Sequence, residues 1–137
     1  MLHQFLVSKE LELKDVAQKL LQILKPGDWV ALEGELGAGK TTLVRHVLFE
    51  MGYKDPVVSP TYPLLVEYDM DGQKIIHIDG FRLDGKSPDP WDFREWEKDI
   101  LFVEWSEKTR LPRSKFKLRI RLEIVEEVKR SITFFSV

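Results

Sequence analysis

Residues 34–42, with the sequence GELGAGKTT, place the strongest constraint on what this chain can fold into. They match the P-loop pattern G-x-x-x-x-G-K-[ST], which chance would produce in roughly 0.5% of chains of this length. The apolar run at residues 29–32 predicts a strand before the loop, and residues 42–49 have the pattern of a helix after it. A strand, a glycine loop and a helix in this order form the element that binds nucleoside triphosphates. The pattern therefore indicates a nucleotide site rather than an ordinary turn.

The chemistry of a P-loop predicts roles for single residues. Its backbone N–H groups turn towards phosphate oxygens, and the positive end of the following helix strengthens the attraction. Lys40 should reach the β- and γ-phosphates, and the Thr41 hydroxyl should bind Mg²⁺. The predicted phosphate-binding group is Gly37, Ala38, Gly39, Lys40, Thr41 and Thr42.

Two apolar segments further along the chain end in an acid, as the second magnesium-binding motif of P-loop proteins does. Residues 74–78 lead to Asp79, which could bind Mg²⁺ directly or through water, and residues 100–103 lead to Glu104. Glu104 could complete the magnesium shell or orient the attacking water. Because a buried glutamate is rare unless it is paired or binds a metal, a functional role for Glu104 is favoured. His77 shares a strand face with Asp79, but it is more simply explained as a packed strand histidine.

The segment that follows the P-loop helix is rich in proline, at positions 56, 60 and 63. Proline disfavours both a helix and a central strand, so an ordered extended loop is expected. Several P-loop proteins carry a loop here that senses the γ-phosphate. Thr61 is the candidate for the sensing hydroxyl, and an ordinary connection is the alternative.

The C-terminal region has the pattern of an antiparallel hairpin. Basic and apolar residues alternate over positions 115–121, and this strand should pair with residues 131–137 through a turn near residues 126–127. The basic face is either a solvated sheet face or a patch for RNA or an acidic protein surface. Between the two acid-ended strands, Asp89-Pro90 predicts the start of a helix that carries Trp91, Phe93 and Trp96.

Together these elements predict an α/β protein with the three-layer fold of P-loop NTPases, in one domain over residues 1–137. The central sheet should be mixed and mainly parallel, with the strands at 29–32 and 100–104 in its centre and the antiparallel C-terminal hairpin at an edge. The net charge of −2 does not point to nucleic acid, and the lack of cysteine excludes disulfide and thiol chemistry. No signal peptide or membrane span is recognisable, so a cytoplasmic protein is expected.

Four motifs in this order resemble the TsaE (YjeE) family of small bacterial P-loop ATPases. They are residues 34–42, 59–62 (SPTY), 77–83 (HIDGFRL) and 103–107 (VEWSE). The resemblance implies a protein that binds ATP or ADP with Mg²⁺ and hydrolyses ATP slowly alone. It also implies action with the TsaD–TsaB complex, which attaches threonylcarbamoyl to adenosine 37 of tRNA, so that the tRNA is reached only through that complex.

Residue by residue, the resemblance implies that Lys40 and Thr41 bind the phosphates and Mg²⁺. It also places Thr61 in the switch-like loop. It makes Asp79 and Glu104 the acidic partners of the metal and water. The chain departs from the family at Phe81, where a tyrosine is usual.

Two other functions fit the motifs. A small-molecule P-loop kinase would need an acceptor pocket and usually an arginine-bearing lid, and no clear lid is recognisable in the sequence. A non-catalytic binding module gated by ATP and ADP would use the same acids and the same switch-like loop.

Overall fold

The computed structural model describes residues 1–57, 60 and 65–137. In this part of the chain, the regular elements are two α-helices and seven strands. They are β1 (His3–Val7), α1 (Leu13–Ile23), β2 (Trp29–Glu33), α2 (Lys40–Glu50), β3 (Leu65–Met70), β4 (Gln73–Asp79), β5 (Ile100–Glu104), β6 (Phe116–Ile124) and β7 (Arg130–Ser136).

All seven strands form one sheet in the order β1-β7-β6-β2-β5-β4-β3. The four central strands, β6, β2, β5 and β4, are parallel to one another, and β3 and β7 run antiparallel to their neighbours. The prediction of a mixed, mainly parallel sheet with β2 and β5 in its centre is therefore confirmed, and the two strands are direct neighbours. The C-terminal hairpin is antiparallel as predicted but does not form the edge, because β1 pairs with the outer side of β7.

Both α-helices cover one face of this sheet. Helix α1 buries Leu13, Val16, Ala17 and Leu20, and α2 buries Leu43, Val44, Val47 and Leu48. These residues form one core with the strand residues that point to the same face. Each helix has 11 residues, and none in the described chain has the length and apolar character needed to cross a bilayer.

The opposite face is covered over β2, β5 and β4 by loops and short 3-10 helices. Its core combines strand residues such as Trp29 and Leu101 with Trp96 from the segment between β4 and β5. The prediction of a helix that begins at Asp89 is wrong, since only a 3-10 turn at Phe93–Trp96 is present in this segment. The Asp89 carboxylate instead accepts two hydrogen bonds, at 2.9 and 3.1 Å, from the backbone N–H of Arg110.

The register of the parallel strands decides where functional side chains meet. Glu104 lies opposite Leu32 of β2 on one side and opposite Asp79 of β4 on the other. The carboxyl ends of all three strands therefore lie at the same edge of the sheet, where ligands bind in open α/β folds.

Candidate functional site

The predicted P-loop connects β2 to α2 at this edge. Gly37 and Gly39 adopt left-handed backbone angles, with φ of 83° and 105°, and Gly39 directly precedes the first turn of α2. A side chain at Gly34 would place its Cβ 2.5 Å from the carbonyl oxygen of Leu122, so the loop passes tightly over β6. The first backbone N–H groups of α2 have no partner within the helix and are free to bind an anion.

Lys40 is held by groups that do not cancel its charge. Its side chain is only 4% exposed, and Nζ donates a hydrogen bond to the carbonyl oxygen of Gly34. The same nitrogen lies 4.6 Å from the centre of the Trp105 ring. Within the described residues no carboxylate pairs with Lys40, so its positive charge remains available to a phosphate.

Glu104 joins the P-loop to the second acid-ended strand. Its Oε2 accepts a hydrogen bond from Thr41 Oγ1 at 3.1 Å and lies 2.6 Å from His77 Nε2. The glutamate is 6% exposed and the histidine is fully buried. Two residues of the predicted site, Thr41 and Glu104, are thus brought into contact. His77, which the sequence analysis treated as packing, contacts the same acid.

Asp79 ends β4 beside Glu104. Its Oδ1 accepts a hydrogen bond from the backbone N–H of Phe81 at 2.9 Å. Burial raises the pKa of Asp79 above its ordinary value, the Phe81 N–H opposes that rise, and the nearby Glu104 carboxylate adds to it. The two acids therefore concentrate negative charge at the ends of adjacent strands.

An aromatic turn follows β5 and covers this region. Trp105 has a left-handed backbone angle, φ 55°, which is uncommon for a residue with a side chain and is typical of functional sites. Its ring lies 5.2 Å from the ring of Phe81, and Lys108 Nζ lies 4.6 Å from the Phe81 ring. A Cβ at Gly80 would lie 2.6 Å from the Trp105 carbonyl oxygen, so only glycine permits this contact between the two turns.

Two cavities border the P-loop. One of about 240 Å³ is lined by Gly34, Lys40 and Trp105, together with parts of β2 and Glu107. The other, of about 220 Å³, contacts Gly37–Gly39 and Thr42. The rest of its wall comes from the start of the chain and from the region around β7, and includes Val7, Lys9, Leu13, Arg130 and Ile132. No pattern in the sequence pointed to this second wall, because it is assembled from distant segments.

The remaining predicted site residue, Thr61, lies outside the described residues. The other members of the predicted set occupy the loop, the start of α2 and the ends of β4 and β5. The described chain holds no group of three or more His, Asp or Glu side chains arranged to hold a metal ion by themselves.

The basic strand has local acidic partners. Lys117 pairs with Asp28 at 3.1 Å, and Arg119 and Arg121 lie 3.6 and 3.5 Å from the Glu33 carboxylate. Both guanidinium groups also lie within 5.0 Å of the Phe135 ring centre. This arrangement favours the solvated sheet face over a patch of free positive charge.

A P-loop between a central parallel strand and a helix, with acids at the ends of the two next strands, defines the P-loop NTPase fold. Comparison with known proteins narrows the class. The sequence model described as "Threonylcarbamoyl adenosine biosynthesis protein TsaE" matches residues 7–132. The chain therefore belongs to the TsaE family, as the four motifs indicated.

Individual relatives agree with this assignment. The chain is 34% identical to the tRNA threonylcarbamoyladenosine biosynthesis protein TsaE of Aquifex aeolicus, over 98% of this chain and 97% of the relative. It is 33% identical to the protein of the same name from Bacillus subtilis, over 92% of this chain and 80% of the relative. The crystal structure of Bacillus subtilis YdiB superimposes with a TM-score of 0.77 and 26% identity, covering 98% of this chain and 85% of that one.

Proposed function

We propose that this protein is a Mg²⁺-dependent ATP hydrolase that supports the TsaD–TsaB complex in threonylcarbamoylation of tRNA adenosine 37. Membership of the TsaE family supports the pathway. The observation that carries the hydrolase assignment is the 3.1 Å hydrogen bond between Thr41 and Glu104, which links the P-loop to a buried acid. The partner complex and the threonylcarbamoyl chemistry come from the family resemblance.

The side chains at the site fit a magnesium ion bound together with a nucleotide. Mg²⁺ prefers oxygen ligands, and in nucleotide sites it takes one or two from the protein and the others from phosphates and water. Thr41, Asp79 and Glu104 offer one hydroxyl and two carboxylates, with Thr41 and Glu104 already in contact. The absence of a larger acidic cluster in the described chain agrees with a cation whose other ligands are not protein groups. When bound, Mg²⁺ would neutralise charge on the β- and γ-phosphates.

The chain's own groups would divide the remaining work. The N–H groups at the start of α2 bind phosphate oxygens, and Lys40 exchanges its contact with the Gly34 carbonyl for the terminal phosphates. Among the described groups, Glu104 Oε1 accepts no hydrogen bond, whereas Oε2 has two partners. Oε1 is thus the oxygen available to orient the attacking water.

The cavity lined by Lys9, Leu13, Arg130 and Ile132 is the proposed place for the nucleoside. It borders Gly37–Gly39 and Thr42, which belong to the loop proposed to bind the phosphates. Apolar side chains on its wall suit a base, and the two cations suit ribose or α-phosphate oxygens.

The test is release of inorganic phosphate from ATP and Mg²⁺, measured for this protein alone and with the purified TsaD–TsaB pair. We expect slow release alone and roughly 10-fold or greater stimulation by the pair, equal to about 1.4 kcal/mol of barrier. The Lys40→Ala variant with the pair is the control for contaminating ATPases. The same slow rate with and without the pair would contradict the proposal.

A further inference from the structure

The side chain of His77 is fully buried, and this is unusual for a group with two polar ring atoms. Its Nε2 lies 2.6 Å from Glu104 Oε2. Among the described residues its other nitrogen, Nδ1, is buried without a hydrogen-bond partner. The ring is thus committed to one contact, and that contact is to the acid that also accepts the Thr41 hydroxyl.

The partners decide where the imidazole hydrogen lies. With the hydrogen on Nε2, the ring donates to Glu104 and leaves only a lone pair unpaired at Nδ1. With the hydrogen on Nδ1, a buried N–H would have no acceptor, which costs much more than an unpaired acceptor. The packing therefore favours a hydrogen on Nε2, where Glu104 accepts it.

We propose that His77 is a positioning residue, whose imidazole fixes the Glu104 carboxylate by donating from Nε2 to Oε2. Two donors, His77 and Thr41, then hold the same oxygen, so the carboxylate cannot rotate freely and Oε1 keeps one position.

The strand register explains how one side chain can do this. His77 lies opposite Phe102 on β5, two residues before Glu104, so the pair is diagonal across adjacent parallel strands. His77 lies on the same strand face as Asp79 and comes two residues before it. The catalytic consequence rests on the proposed ATPase function, whereas the contact itself does not.

The contact is tested in the nucleotide-free protein by long-range ¹H–¹⁵N NMR of the imidazole rings of the three histidines. We expect one ring with a hydrogen on Nε2 and a strongly downfield signal for that proton, lost in His77→Gln and retained in the control His3→Gln. A hydrogen on Nδ1, or a His77 proton that exchanges rapidly with water, would overturn the proposal.

The positioning role is tested with two amides of different reach. Glutamine places its amide nitrogen at about the reach of Nε2, whereas asparagine reaches only as far as Nδ1. For His77→Asn we expect kcat to fall on the order of 10-fold, as losses of groups that orient ligating side chains do, with the KM for ATP nearly unchanged. His77→Gln should restore most of kcat.

Equal losses in the two variants at equal thermal stability, or a full kcat in His77→Asn, would contradict a positioning role. If His77→Asn does not fold, the kcat of His77→Gln relative to the native protein tests the positioning role. A relative kcat as low as that of Glu104→Gln would overturn this role. If no variant and no native sample hydrolyses ATP, the ATPase proposal fails while the NMR result still decides the contact.

Discussion

The two halves of the sheet differ in how their charged side chains are buried and paired. At the ends of β4 and β5, Asp79 and the buried Glu104 lie side by side, and among the described residues no lysine or arginine forms an ion pair with either of them. On β6, each of the basic residues Lys117, Arg119 and Arg121 lies beside an acid at the surface.

This difference separates function from structure. Burying carboxylates next to each other costs folding free energy, and a cation bound between them would offset that cost. Exposed ion pairs cost little and contribute only about 0–1 kcal/mol each. This contrast supports the proposal that the acids of β4 and β5 belong to a ligand site, whereas the paired charges of β6 favour a solvated sheet face.

The largest expected effect is loss of nucleotide binding in Lys40→Ala. Lys40 is the buried cation of the P-loop, and its charge is not paired with an acid in the described structure. We expect the affinity for ATP, measured by calorimetry with Mg²⁺, to fall by roughly 100-fold or about 2.7 kcal/mol. Lys117→Ala, which removes a paired surface lysine, is the matched control and should bind ATP normally. Similar losses in both variants would erase the contrast between the two halves.

A second prediction concerns the hydroxyl that joins the P-loop to Glu104. Thr41→Val keeps the shape of the side chain but removes the group that donates to Oε2 and should bind Mg²⁺. Turnover at saturating ATP should fall by about 10- to 100-fold, while Thr41→Ser should stay within a few-fold. Phosphate release is followed as Mg²⁺ is titrated. Equal activity of the valine and serine variants would remove the hydroxyl from the site.

A smaller effect is expected on stability at Asp79. Burial, partly opposed by the Phe81 N–H and reinforced by Glu104, raises the pKa of this acid in the folded state. The folded protein thus holds its proton more tightly than the unfolded chain, so stability falls as the pH rises from the ordinary aspartate pKa through the raised one. Asp79→Asn should therefore be more stable than the native protein at pH 7 without divalent cations.

That gain should vanish as the pH drops below the ordinary aspartate range, where both chains are neutral at this position. Urea unfolding at several pH values measures it. Asparagine can still accept the Phe81 hydrogen bond through Oδ1, so the comparison isolates the charge. A stability gain that is largest in acid would have the wrong sign.

The smallest effect is expected on the other half of the sheet. The double variant Arg119→Gln, Arg121→Gln removes the two guanidinium groups that pair with Glu33 and lie against Phe135. The free energy of unfolding should fall by about 1 kcal/mol or less, and stimulated ATP turnover should stay within about 2-fold. A turnover loss comparable to that of Thr41→Val would place the basic strand in the functional site.

The sequence was informative where the chemistry is local. The P-loop is a contiguous pattern, and the acids follow apolar runs, so Lys40, Thr41, Asp79 and Glu104 could be located before the fold was known. The central, parallel placement of β2 and β5 followed from the same elements.

The rest depends on contacts between distant segments. The contact of His77 with Glu104 appears only when the register of β4 on β5 places the two side chains diagonally to each other. The ion pair of Lys117 on β6 depends on Asp28, which is 89 positions away in the sequence. The helix expected at Asp89 does not form, because the Asp89 carboxylate that would have capped it accepts the backbone N–H of Arg110 instead.

The most direct test of the central claim is the Glu104→Gln variant, studied for ATP binding and for turnover with TsaD–TsaB. Glutamine preserves the size of the side chain but removes the charge that lies between Thr41 and His77. The account predicts ATP affinity within about 3-fold of native and turnover reduced by roughly 100-fold or more, about 2.7 kcal/mol of barrier. Turnover close to that of the native protein would contradict it.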